Sequence, residues 1–103
     1  MRRAAKVDSN HADIVSALQA VGCSVQSLAA VGAGCVDLLV GVAGWNVLIE
    51  IKDGGRVPSE RRFTPAQKAW HREWRGTAHV AESVEQALAI VSAYRSRGRP
   101  TGD

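Results

Sequence analysis

The sequence predicts an α/β domain, a mixed sheet that contains an antiparallel hairpin and is flanked by helices, in the order α-β-β-β-α-β-α. Three observations predict it. Ile14, Val15, Leu18 and Val21 recur at helical spacing. Two short, apolar, β-rich segments lie either side of Ala43-Gly44, as the arms of a hairpin do. Thr64-Pro65 then opens a second helix that separates the hairpin from one further short strand. A chain of 103 residues, 46% of them hydrophobic, is expected to form one thin-cored domain over 1–95, followed by a disordered basic tail over 96–103.

The elements follow in order. Residues 8 to 21 read as a helix, with Asp8, Ser9 or Asn10 available to cap it and Gly22 to stop it. Cys23 to Ala29 reads as a short strand, and Val31-Gly32-Ala33-Gly34 as a flexible break. Residues 35 to 41 and 46 to 52 are the hairpin strands, and Asp53 to Glu60, with Gly54, Gly55 and Pro58, must be a loop. The second helix runs from Thr64-Pro65 through Gln67, Trp70 and Trp74 to Gly76. Thr77 to Ala81 is a strand, and Ser83 begins a last helix that ends about Tyr94, with the chain frayed from Ser96.

Thirteen Lys and Arg against ten Asp and Glu give a net charge of +3, which suits an anionic partner without proving one. The distribution says more: Arg2, Arg3 and Lys6 start the chain, Arg56, Arg61 and Arg62 mark a loop, and Arg95, Arg97 and Arg99 mark the end. No apolar run approaches the roughly 18 to 20 residues of a membrane span, and no apolar stretch after Arg3 suits a signal peptide, so a cytoplasmic place of work is expected. In that compartment Cys23 and Cys35 are free thiols, small apolar filler rather than a disulfide or a zinc site.

Asp37, Glu50 and Lys52 interrupt the apolar hairpin strands. Alternation puts Glu50 and Lys52 on one face. A turn centred on Ala43-Gly44 pairs Gly41 with Asn46 and Asp37 with Glu50, and directly opposed Cβ atoms stand about 4.5 to 5.5 Å apart. A lone Glu-x-Lys on a strand ordinarily holds its charges in solvent. Two opposed carboxylates are different, because they repel unless something compensates. A Mg²⁺ or Mn²⁺ ion compensates, using Asp37, Glu50 and the Ile51 carbonyl as oxygen ligands. Lys52 then stands where its ammonium can stabilise a phosphate or orient water, which is the equipment of phosphodiester hydrolysis.

Asp37, followed after a turn by Ile49-Glu50-Ile51-Lys52, resembles the signature of the PD-(D/E)xK nucleases, and within them the chain most resembles the virus-type replication-repair nucleases (VRR-NUC), small stand-alone domains of phages and prophages. The resemblance covers the chain from the first helix to about Tyr94. It implies a restriction-endonuclease-like core and a metal-dependent DNA endonuclease, with homodimers and branched DNA such as Holliday junctions among the family's habits. It also implies an acid from the first helix, matched best by Asp13 with Asp8 as the lesser alternative, and a glutamine on the helix after the Glu-x-Lys strand, matched by Gln67. Gly32 and Gly34 match the glycines before the acidic strand. Val36 departs from the proline of the motif name, which costs no ligand.

Arg56, Arg61, Arg62, Lys68 and Arg72, with Arg75, are the candidates for holding DNA phosphates, a role that positions the nucleic acid without reading it. Trp70 and Trp74, four residues apart, are expected in a core or dimer contact rather than in base stacking. His71 is a tempting general base, but a His beside a Trp in a helix is more often packing or surface. The rival readings are a catalytically inactive nucleic-acid-binding or regulatory module of the same fold, and an interaction protein that docks through Trp45, Trp70 and Trp74.

Overall fold

The computed structural model describes residues 9–60 and 62–101. Three helices and four strands follow one another as α1 (His11–Ala20), β1 (Ser24–Ser27), β2 (Leu38–Val42), β3 (Trp45–Ile51), α2 (Pro65–Glu73), β4 (Ala78–Ala81) and α3 (Val84–Arg97), with a short 3₁₀ turn at Pro58–Glu60. The sheet order is β1-β2-β3-β4: the first two pairings are antiparallel and β3 with β4 is parallel, so the sheet is mixed and α2 lies in the crossover. The α/β class and the element order are those the sequence predicted.

The hairpin register follows from its two-residue turn. Ala43 (φ 51°) and Gly44 (φ 84°) both take left-handed backbone, the turn geometry whose twist matches that of the flanking strands. Gly41 therefore faces Asn46, and Leu38 faces Ile49. Leu38, Val40, Val42, Val47, Ile49 and Ile51 point to the face that α1 and α3 cover, where Ile14, Leu18, Ala87 and Val91 complete the core. The alternate residues of β3, Leu48 and Glu50, turn to the opposite face.

Boundaries shift by a few residues. The first helix begins at His11 rather than 8, with Asn10, one of the three candidate caps, at the N-cap position but without a side-chain cap bond; Asp8, like Arg2, Arg3 and Lys6, lies outside the described residues. Cys23 and Leu28 to Ala29 flank β1 rather than belong to it, and Cys35 to Asp37 precede β2. The second helix stops at Glu73, with Trp74 as an extended cap. The last helix runs to Arg97, not Tyr94, and Gly98 just beyond it is held against β3. Trp45 Nε1 donates to the Gly98 carbonyl (2.8 Å), and the Arg97 guanidinium lies over the rings of Tyr94 (4.8 Å) and Trp45 (5.7 Å). These cation–π contacts, together with the Arg95 bond to the Val21 carbonyl, occupy arginines that had read as a loose basic tail.

His79 Nε2 lies 2.8 Å from the Tyr94 hydroxyl on the core side of β4. Burial, then the charge of Arg97, pushes its pKa below the ordinary 6.5. The unfolded chain therefore takes up more protons than the fold, and stability rises with pH in this range. The contribution is complete above 6.5 and is lost as pH falls through the lower folded-state value. His71 acts in the same direction. His79→Gln is accordingly expected to give a shallower fall of Tm from neutrality to below pH 6.5 than the wild type; an unchanged slope would show that His79 protonates freely in the fold.

Candidate active site

The site forms where the hairpin strands end away from their turn. The ladder of β2 with β3 ends at Leu38 opposite Ile49, and the same register carried one residue further sets Asp37 opposite Glu50. Asp37 is held there by its backbone and its side chain. Its carbonyl accepts the Leu28 N–H (2.8 Å), and its Oδ2 accepts the Ile51 N–H (2.7 Å), replacing the strand carbonyl that β2 no longer supplies. Glu50 and Lys52 are 2% and 7% exposed, the two charged side chains among the described residues that are fully buried. Burying both is costly unless each is paired or hydrogen-bonded.

Gln67 supplies that pairing. Its amide oxygen accepts from Lys52 Nζ (2.8 Å) and from the Thr64 N–H (2.9 Å), while its amide nitrogen donates to Glu50 Oε2 (3.2 Å). Two donors on one side and a carboxylate on the other fix which way the amide points. The same residue caps α2: Gln67 N–H donates to Thr64 Oγ1 (3.2 Å), so Thr64 and Gln67 form a reciprocal capping box. The helix start and the bridge between Glu50 and Lys52 are thus one structure. Lys52 Nζ also donates to the Arg62 carbonyl (3.3 Å) and lies over the Phe63 ring (5.2 Å).

One turn after Gln67, His71 faces the same carboxylate, its Nε2 3.8 Å from Glu50 Oε1. Phe63 stacks on its ring (4.5 Å, 14°). Burial, then the Lys52 charge, lowers its pKa below the usual value, which favours the neutral imidazole. Cys35, read from the sequence as apolar filler, is half-buried beside the acids; burial raises its pKa, and Glu50 and Asp37 add to the rise. Cys23 is the buried filler expected, and both thiols are free.

The remaining expected residues fall in several places. Asp13 is exposed on α1 and makes no hydrogen bond or ion pair to Asp37, Glu50 or Lys52 among the described residues. What α1 brings to the site is its start: Asn10 Nδ2 donates to the carbonyls of Lys52 (3.3 Å) and Glu82 (3.1 Å), and Ser9 donates to Asp53. Arg56 pairs with Asp53 (3.6 Å), Arg62, Lys68, Arg72 and Arg75 are exposed, and Arg61 lies outside the described residues. Arg72 also meets Glu73 (3.6 Å) in a pair that is 71% and 73% exposed, which binds it weakly. Gly34 (φ 80°) passes against the start of α2, where a Cβ would overlap the Ala66 carbonyl and lie 2.8 Å from Gln67 N, whereas Gly32 (φ 73°) has open space around it.

Sequence reasoning undervalued three participants. His71 sits four residues after Gln67, the spacing that shares a helix face, which was the available signal. The Thr64-x-x-Gln67 capping box was legible as a motif. Phe63 had no signal of its own.

Among the described residues no three His, Cys, Asp or Glu side chains converge into a metal-binding group. The two opposed carboxylates are an all-oxygen, hard donor set of the size that Mg²⁺ uses, since that ion keeps several waters and takes one or two carboxylates plus phosphate. Carboxylate oxygens are the hard donors that Mg²⁺ and Mn²⁺ favour. Among the described residues no helix is long and apolar enough to cross a membrane. Set against protein-family models, curated proteins and solved structures, the chain matches none of them.

Proposed function

We propose that the chain is a metal-dependent DNA endonuclease with the restriction-endonuclease-like core of the PD-(D/E)xK nucleases, of the VRR-NUC type. The observation that carries this reading is the burial of Glu50 and Lys52 on one strand end, opposite Asp37, with Gln67 bonded to both. A purely structural role gives no reason to bury a lysine and a carboxylate, with a second, half-buried carboxylate opposite, at the end of a strand, where apolar residues of similar volume would be as stable or more so.

In this reading Asp37, Glu50 and the Ile51 carbonyl hold Mg²⁺ or Mn²⁺, and Asp13 supports the shell through water. When bound, the ion lowers the pKa of water and polarises the phosphorus–oxygen bonds. The protein's own groups do the rest. Gln67 holds Lys52 Nζ in a fixed place, so the ammonium meets the charge that develops on the phosphate without reorganising first. His71 faces Glu50 and borders the same space. Arg56, Arg61, Arg62, Lys68 and Arg72 hold the DNA backbone on either side. The proposal includes a homodimer, whose two-fold axis suits paired nicks in branched DNA, and a phage or prophage origin with work in the host cytoplasm.

The test is to incubate the purified chain and its Lys52→Ala variant with a labelled four-way junction, the matched duplex and single strand, in Mg²⁺, Mn²⁺ or EDTA. Metal-dependent cleavage by the wild type, strongest on the junction and lost in the variant, is the expected result. Binding without cleavage of any substrate would replace this reading with that of an inactive nucleic-acid-binding module.

A further inference from the structure

We propose that Trp74, at the C-terminal end of α2, is a stacking surface for an unpaired nucleobase, so that the DNA this chain acts on carries single-stranded nucleotides beside the site. The inference deepens the nuclease reading and rests on it for the identity of the ligand. It starts from a run of rings that leads out of the site. Phe63 lies under Lys52 Nζ (5.2 Å) and stacks on His71 (4.5 Å, 14°); Trp70 meets His71 edge-on (5.2 Å, 76°); Trp74 stacks on Trp70 (4.8 Å, 12°). Trp74 stands about one turn, ~5 Å along the helix axis, beyond His71.

The sequence had suggested a core or dimer contact for these two rings, and the core contact is not what they make: α2 contributes no buried residue. Trp70 covers one face of Trp74 and Gly76 approaches the indole at Nε1, yet the residue keeps 46% of its surface exposed. The remaining tryptophan, Trp45, is taken up by Gly98, Arg97 and Tyr94. An open tryptophan face suits an aromatic or apolar ligand, and its neighbours decide which. Lys68, Arg72 and Arg75 lie exposed on and just after the same helix, with Glu73 the sole acid between Pro65 and Gly76. A second copy docked here about a two-fold axis would bring like charges together. A polyanion that carries flat rings gains from both features, the basic groups tracking its backbone and the ring stacking its base. Paired bases have their faces covered by neighbours, so the base in question is unpaired.

The experiment uses the wild type, Trp74→Ala and Trp74→Phe, all in EDTA so that no strand is cut. Fluorescein-labelled oligothymidylate is compared with an abasic strand of the same number of phosphates, each over a salt titration. The wild type is expected to bind the base-bearing strand about tenfold or more tightly than the abasic one. Trp74→Ala should bind both alike, Trp74→Phe should keep most of the preference, and the salt dependence should be common to all three. Equal binding of both strands by the wild type, or a preference that survives in Trp74→Ala, overturns the proposal. So does a dimer that Trp74→Ala converts to monomer in sedimentation with the base preference unchanged, which assigns the ring to a chain–chain interface. Since no cleavage is read, base preference without metal-dependent cutting would fell the nuclease reading alone, and cutting without base preference would fell this one alone.

Discussion

Glu50→Gln is expected to lower metal-dependent cleavage on the order of 100-fold or more, the scale on which loss of one preorganised electrostatic group appears in turnover. The substitution keeps volume and shape at a position 2% exposed, and the new amide oxygen can still accept from Gln67. What is lost is charge. With no divalent ion present, Glu50 and Asp37 are like charges at opposed strand positions beside the buried Lys52, and their mutual repulsion opposes folding. The variant holds one carboxylate against one lysine. Its Tm in EDTA should therefore equal or exceed that of the wild type, a gain in stability at the expense of function. Adding Mn²⁺ should raise the Tm of the wild type by linkage and leave that of the variant unchanged. A variant that is both active and less stable would mean that Glu50 serves the fold and not the ion.

Gly34→Ala should destabilise the fold by about 3 kcal/mol, a left-handed-backbone cost of about 1 kcal/mol plus an overpacking cost of about 1–3 kcal/mol. Its φ of 80° alone does not set it apart, because Ala33 next to it already holds φ 56° and Gly32 φ 73°. The difference is the neighbour: a Cβ at Gly34 meets the Ala66 carbonyl and Gln67 N, and at Gly32 nothing within 4 Å. Gly32→Ala should therefore cost about 1 kcal/mol. Relief of the overlap at Gly34 requires the start of α2 to move away, and Gln67 moves with it. Cleavage should fall with stability in Gly34→Ala and stay near wild type in Gly32→Ala. Denaturant unfolding of the two variants checks the difference, and equal midpoints would show that α2 yields without cost.

What could be read from the residues and what could not divides along a physical line. The hairpin was legible because a two-residue turn fixes the register, and the register sets Asp37, Glu50 and Lys52 near one another without further information. The start of α2 was legible from Thr64-Pro65, and Gln67 from the resemblance. Periodicity tells which residues share a face but not what another element lays on that face. The approach of His71 to Glu50 depends on how α2 tilts across the end of β3, and nothing local encodes it. The open Trp74 was hidden for the same reason: two tryptophans at helical spacing ordinarily mean a covered stripe, and here the helix contacts the site through Gln67 and His71 instead. The last turn of α3 was missed because Ser96 and Arg97 carry no apolar signal, while the contacts that hold Arg97 come from Trp45, distant in sequence. Asp13 lies exposed on α1, and the residues just before that helix, Ser9 and Asn10, reach the strand end through contacts that sequence spacing does not encode.

A divalent ion held by Glu50 and Asp37 must cut DNA if the chain is the nuclease proposed. The most direct measurement is the initial rate of cleavage of a labelled branched substrate as a function of Mn²⁺ concentration, for wild type and Glu50→Gln in parallel. A rate that rises from nothing in EDTA to saturation for the wild type, and stays at the EDTA level throughout for the variant, is the predicted result. A wild-type rate indifferent to Mn²⁺, or a variant that follows the wild-type curve, would contradict it.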